Sequence, residues 1–239
     1  MEHPVTWTGL IGIPHGDWEY FAIALLVMGI LLVLALRARA ALQQDSAVVP
    51  DDTLTARNVF ELLVEAINNL SESVIGHDAQ RYVPILSTFF IFILFSNFMG
   101  LLPGFTPPTS DFDITLALGV VSLLAFNYYG LKAQGLGYLK HFVGPIVALA
   151  PLMIILEVIS VLLVRPASLG LRLFGNMFGD HLVLEIFTSL TKVGVPVAFY
   201  LLGTLVSIIQ AFVFTLLSMI YIGLAVAHHD GDHAEHAHH

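Results

Sequence analysis

The chain has no cysteine, and only 11% of its 239 residues are Asp, Glu, Lys or Arg. The missing thiols exclude a disulfide framework, a cysteine nucleophile and a thiolate metal site together. A soluble domain carries roughly a quarter charged residues, so this chain has too little polar surface to meet water on all sides. Basic residues are scarcest, 9 Lys and Arg against 18 Asp and Glu, with a formal net charge of −9. That balance excludes the basic footprint of a nucleic-acid binder. The first residues lack the positive n-region of a secretory signal, so the first apolar segment is expected to be retained. No internal repeat, phosphate loop or His-Glu-x-x-His string occurs, and no cofactor site is expected.

What remains is apolar: 57% of the residues are hydrophobic and the mean hydropathy is +0.85. Lipid is therefore the expected solvent. Trp18 to Leu36 reads as a first span with aromatic anchors at Trp18 and Tyr20, stopped by Arg37 and Arg39. Residues 43 to 55 are a polar connector. Over residues 57–76, Val59, Leu63, Ile67, Leu70 and Val74 recur at steps of three and four between Glu and Asn, the pattern of an amphipathic helix lying in the interface. Further spans are expected over 83–102 and 114–131, divided by a Pro-rich loop.

Residues 144–191 and 196–227 are too long for upright spans. The stretch from 144 to 190 would reach about 70 Å as helix, and the last segment roughly 48 Å, against a hydrocarbon core of ~30 Å. The first of these either crosses twice or is one tilted helix. Basic residues decide, because cytoplasmic connectors accumulate them. With one crossing, Arg37, Arg39, Arg57, Arg81, Lys132 and Lys140 lie inside and only Lys192 outside. The expected fold is an all-α integral membrane protein: five crossing helices, the last two a long, strongly tilted hairpin, plus one interfacial amphipathic helix. Residues 18–227 form one membrane domain, between an external segment 1–17 and a His-rich cytoplasmic tail 228–239.

Glu157, Arg165, Arg172, Asn176, Asp180, His181 and Glu185 interrupt this apolar region. A charge at bilayer centre costs ~2.5–3.5 kcal/mol on insertion scales, and such residues usually face a partner or a watery path. Arg172 has only Leu171, Leu173 and Phe174 beside it and cannot readily deprotonate; either it serves a function or it snorkels to an interface. At about 100° per residue Arg172 and Asn176 share one face, while His181 and Glu185 share a nearly opposite one. Glu157 lies about 60° from Arg172 on an ideal helix, a register that Pro166 is expected to kink. Gly203, Ser207, Gln210 and Phe214 form a stripe that also reads as close helix packing through small residues. Asp111 and Asp113 read equally as N-caps of the third span, and His181 also reads as a packing histidine.

The string Ser168-Leu-Gly-Leu-Arg-Leu-Phe-Gly-Asn-Met177, followed by Ile209-Gln210-Ala-Phe-Val-Phe214, resembles the subunit a family of F-type ATP synthases, with a looser match from about 82 to 226. The resemblance implies a non-catalytic stator; the placement of basic residues puts the N-terminus outside and the C-terminus in the cytoplasm, and with no transit peptide a bacterial plasma membrane is expected. Its implied partners are a rotating c-subunit ring, peripheral-stalk b subunits and the rest of the ATP synthase complex. Two offset half-channels would carry protons to and from the ring carboxylates. By motif position Arg172 would be the essential arginine, with Asn176 and Gln210 its companions, Glu157 the acid of the cytoplasmic half-channel and Asp111 an acid near the opposite mouth. Many members carry Glu at position 181 and an ionisable residue at 203. This chain has His181 and Gly203, so His181 is expected to serve with help from Asp180 or Glu185, and a proton relay with Glu185 is expected. An ion-coupled secondary transporter is the alternative function, though such folds usually show an internal repeat.

Overall fold

The computed structural model describes residues 16–42, 56–76, 78–102, 104–135, 150–191 and 194–226. The first fifteen residues, the connector 43–55, the Lys140 connector with residues 144–149, the Lys192 turn and the His-rich tail lie outside the described residues.

Every regular element among the described residues is helical. Helix α1, Asp17–Leu42, carries Arg39 in its last turn. Helix α2, Ala56–Ile75, is the amphipathic segment, and its Leu63, Ile67 and Leu70 join the apolar core. The chain then reverses at Gly76, whose φ of +96° disfavours any side chain, and a short 3-10 turn, Ala79–Arg81, leads into α3, Val83–Met99. Proline in the first turn of α3 is harmless, because the N–H it lacks has no helical partner there. Helix α4, Phe112–Gln134, starts at a capped Asp111 and stops at Gly135, where φ is +57°.

Helices α5, Ala150–Ile159, and α6, Arg165–Leu190, are joined without a break by a π-helical turn, Ser160–Val164. The long segment is therefore one helix. Pro166 falls in the first turn of α6; its ring would clash with the carbonyl four residues back, and that carbonyl lies in the wider π turn, so no sharp break follows. The last helix, α7, is Gly194–Val226. Four apolar stretches are long enough to cross a membrane, Trp18–Arg39, Phe112–Gln134, Leu152–Leu190 and Gly194–Val226, and α3 is a shorter fifth. The 39 residues of Leu152–Leu190 would extend about 58 Å. To remain within a ~30 Å core, a straight helix of that length must lie about 60° from the membrane normal.

Helices α6 and α7 run antiparallel: Asn176 meets Gln210, and further along Phe187 stacks on Phe199 with ring centroids 4.6 Å apart. Helix α4 approaches α6 most closely through glycine. A Cβ on Gly119 would stand 2.5 Å from the Pro166 carbonyl oxygen, and one on Gly170 would stand 3.0 Å from that of Thr115. Leu86, Ile93, Phe126, Leu173, Phe214 and Met219 fill the space enclosed by α3, α4, α6 and α7. Helices are also stitched by polar groups: the Ser122 and Ser218 hydroxyls lie 2.8 Å apart and Gln134 Nε2 donates to the Ala225 carbonyl at 2.9 Å. In lipid, small residues and side-chain hydrogen bonds of this kind hold helices together where hydrophobic driving force is weak. Outer surfaces stay apolar, with Leu163 and Leu201 largely exposed.

Candidate functional site

Arg172 projects from the exposed side of α6, and among the described residues it has no salt bridge or hydrogen bond. Its face is open. Cβ atoms added at Gly175 or Gly179 would meet nothing within 4 Å, so Arg172, Gly175, Asn176 and Gly179 make a low stripe at helical spacing. The side of the helix about a quarter turn away, Leu169, Leu173 and Met177, is buried in the core.

Beside the stripe, Asn176 Nδ2 donates to Gln210 Oε1 at 2.6 Å. Gln210 is only 3% exposed, and its own Nε2 has no partner. The bond fixes the rotation of α7 against α6 one turn from Arg172. The expected stripe Gly203, Ser207, Gln210 and Phe214 does pack inward, with Ser207, Gln210 and Phe214 all buried.

Glu157 and Arg165 form an ion pair, Oε1 to Nη2 at 3.6 Å. On an ideal α-helix these positions lie about 80° apart; the wider π turn between them brings them onto one side. The Arg165 guanidinium also sits 5.6 Å from the Phe126 ring centroid and 5.3 Å from that of Tyr221, a cation–π arrangement that ties α6 to α4 and α7. Glu157 thus pairs with Arg165 rather than with Arg172 or His181.

Toward the other end of α6, a cavity of about 30 Å³ collects Asn97, Asp180, His181, Gly203 and Ser207. By volume it holds about two waters. Asp180 Oδ2 is buried with no hydrogen-bond partner. Asn97 is locked in place: it accepts from Thr109 Oγ1 at 2.6 Å and donates to the Ser207 carbonyl at 3.3 Å. The glycine at 203 leaves this space open, since a Cβ there would stand 3.3 Å from Leu101 Cδ2. Glu185, one turn beyond His181, is exposed and outside the cavity lining. Asp111 caps α4, its Oδ1 accepting from the Asp113 and Ile114 amides at 3.0 and 3.1 Å. Another acid at the same end of the bundle is Glu19, 5% exposed, which accepts from Thr106 Oγ1 at 3.5 Å. No cluster of three His, Cys, Asp or Glu with metal-site geometry occurs among the described residues.

The structure thus brings together Asn176 with Gln210, and His181 with Asp180 and position 203; Glu185 acts on His181 electrostatically from outside the cavity, while Glu157 and Asp111 stand elsewhere. Sequence reasoning passed over Asn97, Thr109 and Glu19. Asn97 carried a usable signal as a polar amide inside the run from Tyr82 to Leu102; Glu19 was hidden between the aromatic anchors.

A polytopic helical membrane protein with an unpaired arginine on an open face and a separate acid-and-imidazole cavity belongs to the class of ion-translocating membrane subunits. The sequence profile described as ATP synthase A chain matches residues 21–223. ATP synthase subunit a of Bdellovibrio bacteriovorus is 45% identical over 229 residues, covering 93% of this chain and 97% of that protein. The subunit a of Trichlorobacter lovleyi is 48% identical and that of Geobacter sulfurreducens 45%, each covering 82% of both chains. The chain belongs to the ATP synthase subunit a family, which speaks against the secondary-transporter alternative.

Proposed function

We propose that this protein is the stator of an ATP synthase membrane motor, with the Arg172 stripe facing a ring of c subunits and two half-channels reaching that ring from opposite sides. The observation that carries the reading is Arg172 itself: a permanent cation on an apolar helix, with no partner among the described residues and with two glycines clearing the surface beside it. A deprotonated ring carboxylate supplies the missing countercharge. At 4 Å and an effective dielectric of 20 the attraction is ~4 kcal/mol, which favours proton release as each carboxylate arrives. Because arginine keeps its own proton, it also blocks direct leakage between the half-channels. A transmembrane potential contributes about 2.3 kcal/mol per charge per 100 mV, so several protons per turn accumulate the energy for synthesis in the nucleotide-binding part of the complex.

His181 and Asp180 with their small cavity form the heart of the outer half-channel, and Asn97 and Ser207 line its wall. An imidazole exchanges protons in both directions near neutral pH, and an unpartnered carboxylate one residue away gives it somewhere to send them. Asp180 joins Glu185 as a companion of His181: the first lines the cavity with it, and the second acts on it from one turn along the helix. Glu157, held by Arg165, is the acid of the inner half-channel, and Asp111 stands near the outer mouth. Helix α2 lies in the membrane interface. The membrane is a bacterial plasma membrane, with the N-terminus outside, the C-terminus inside, and peripheral-stalk b subunits holding the stator. The test is Arg172→Ala in reconstituted vesicles, with assembly verified separately. ATP-driven proton pumping is expected to vanish; coupled pumping that survives the change would remove Arg172 from this role.

A further inference from the structure

Helix α1 is joined to the bundle along only half its length. Glu19, Ile23, Ala24 and Val27 are buried, and from Met28 to Arg39 no residue is. Where α1 leaves the bundle, a groove of about 580 Å³ opens between it and α3, with Phe60 of α2 also contributing to its wall. Its lining is apolar from Met28 and Leu31 through Ala35, and Arg39 stands at the end. Arg39 has no ion-pair partner among the described residues. On the α3 side the groove meets Ser87, which is 6% exposed and whose hydroxyl has no hydrogen-bond partner among the described residues.

The dimensions decide between occupants. From Met28 to Arg39 the helix rises about 16 Å, close to half of a ~30 Å hydrocarbon core. Met28 is near the middle of the apolar span Trp18–Arg39. The groove therefore covers one leaflet, about the depth of one lipid acyl chain. An unpaired arginine at headgroup level selects a negative headgroup, and an ester carbonyl just below the phosphate is an acceptor for the Ser87 hydroxyl. We propose that this groove is a binding site for an anionic phospholipid of the leaflet on the Arg39 side, its acyl chain between α1 and α3 and its phosphate on Arg39.

The intact ATP synthase complex in phosphatidylcholine vesicles tests this, using trace phosphatidylglycerol or phosphatidylcholine with a diazirine in the same acyl chain. Crosslinked residues are read by mass spectrometry. Phosphatidylglycerol is expected to label Met28, Leu31 and Ala35 several times more than phosphatidylcholine, while Leu26 and Val33, exposed elsewhere on α1, label equally with both. Arg39→Gln should lower the preference about fivefold, and Arg37→Gln should leave it unchanged because Arg37 does not line the groove. Labelling at Leu26 and Val33 shows that a variant is inserted and folded. Equal labelling of the groove by both lipids, or a preference untouched by Arg39→Gln, overturns the proposal. So does a groove protected from both lipids while Leu26 and Val33 react, because a protein segment would then fill it.

Discussion

One chemical change, glycine to alanine, should do opposite things on the two sides of α6. At Gly119 of α4, the new Cβ would lie 2.5 Å from the Pro166 carbonyl oxygen. That neighbour is backbone and cannot rotate away, so α4 and α6 must separate by several tenths of an ångström. Overpacking of this kind costs about 1–3 kcal/mol. It also moves Pro166, which begins the helix carrying Arg172, and a misplacement near 1 Å can reduce a positioned reaction about 10²-fold. At Gly175 the same methyl meets nothing within 4 Å among the described residues, and replacing a helical glycine favours the helix by up to ~1 kcal/mol. Gly119→Ala should therefore lower resistance to unfolding in mixed micelles and reduce assembly. Gly175→Ala should unfold like the parent and assemble, yet slow ATP-driven pumping, because its methyl meets the ring. A Gly119→Ala protein as stable as the parent would refute the close α4–α6 contact. Parental pumping by Gly175→Ala would refute the assignment of the open stripe to the ring.

Asn176→Ala removes the partner of a buried Gln210 carbonyl, which should cost about 1–3 kcal/mol by unfolding and lower coupled activity; Asn176→Asp is the control that tests polarity against packing. His181→Ala should slow synthesis and pumping on the order of 10²-fold with assembly intact, and adding Gly203→His should restore part of the rate. Asp180→Asn should be more damaging than Glu185→Gln, and the reverse order would return the relay to His181 and Glu185. Single cysteines at Asp113 and Ser73, both exposed, report sidedness: an impermeant thiol reagent should label the first in intact cells and the second only in inverted vesicles.

Composition and periodicity were enough to define the solvent, the five apolar helices and the amphipathic α2, because each depends on properties local to a segment: hydropathy, length and spacing. Arg172 was legible for a similar reason, since a charge without local compensation is costly wherever the chain carries it. The continuous α5–α6 helix was favoured over two crossings by the placement of basic residues, but the π turn within it was not legible. That turn changes the angular register by an amount no α-helical wheel contains, and it places Glu157 against Arg165. The cavity beside His181 also belonged to tertiary structure. Along the helix Glu185 is the natural neighbour, at four residues' distance, but the cavity is made where α3, the loop before α4 and α7 meet α6, and those surfaces enclose Asp180 and leave Glu185 outside. Spacing within one helix tells which residues share a face; only the packing of other helices tells which face encloses water and which meets lipid or a partner.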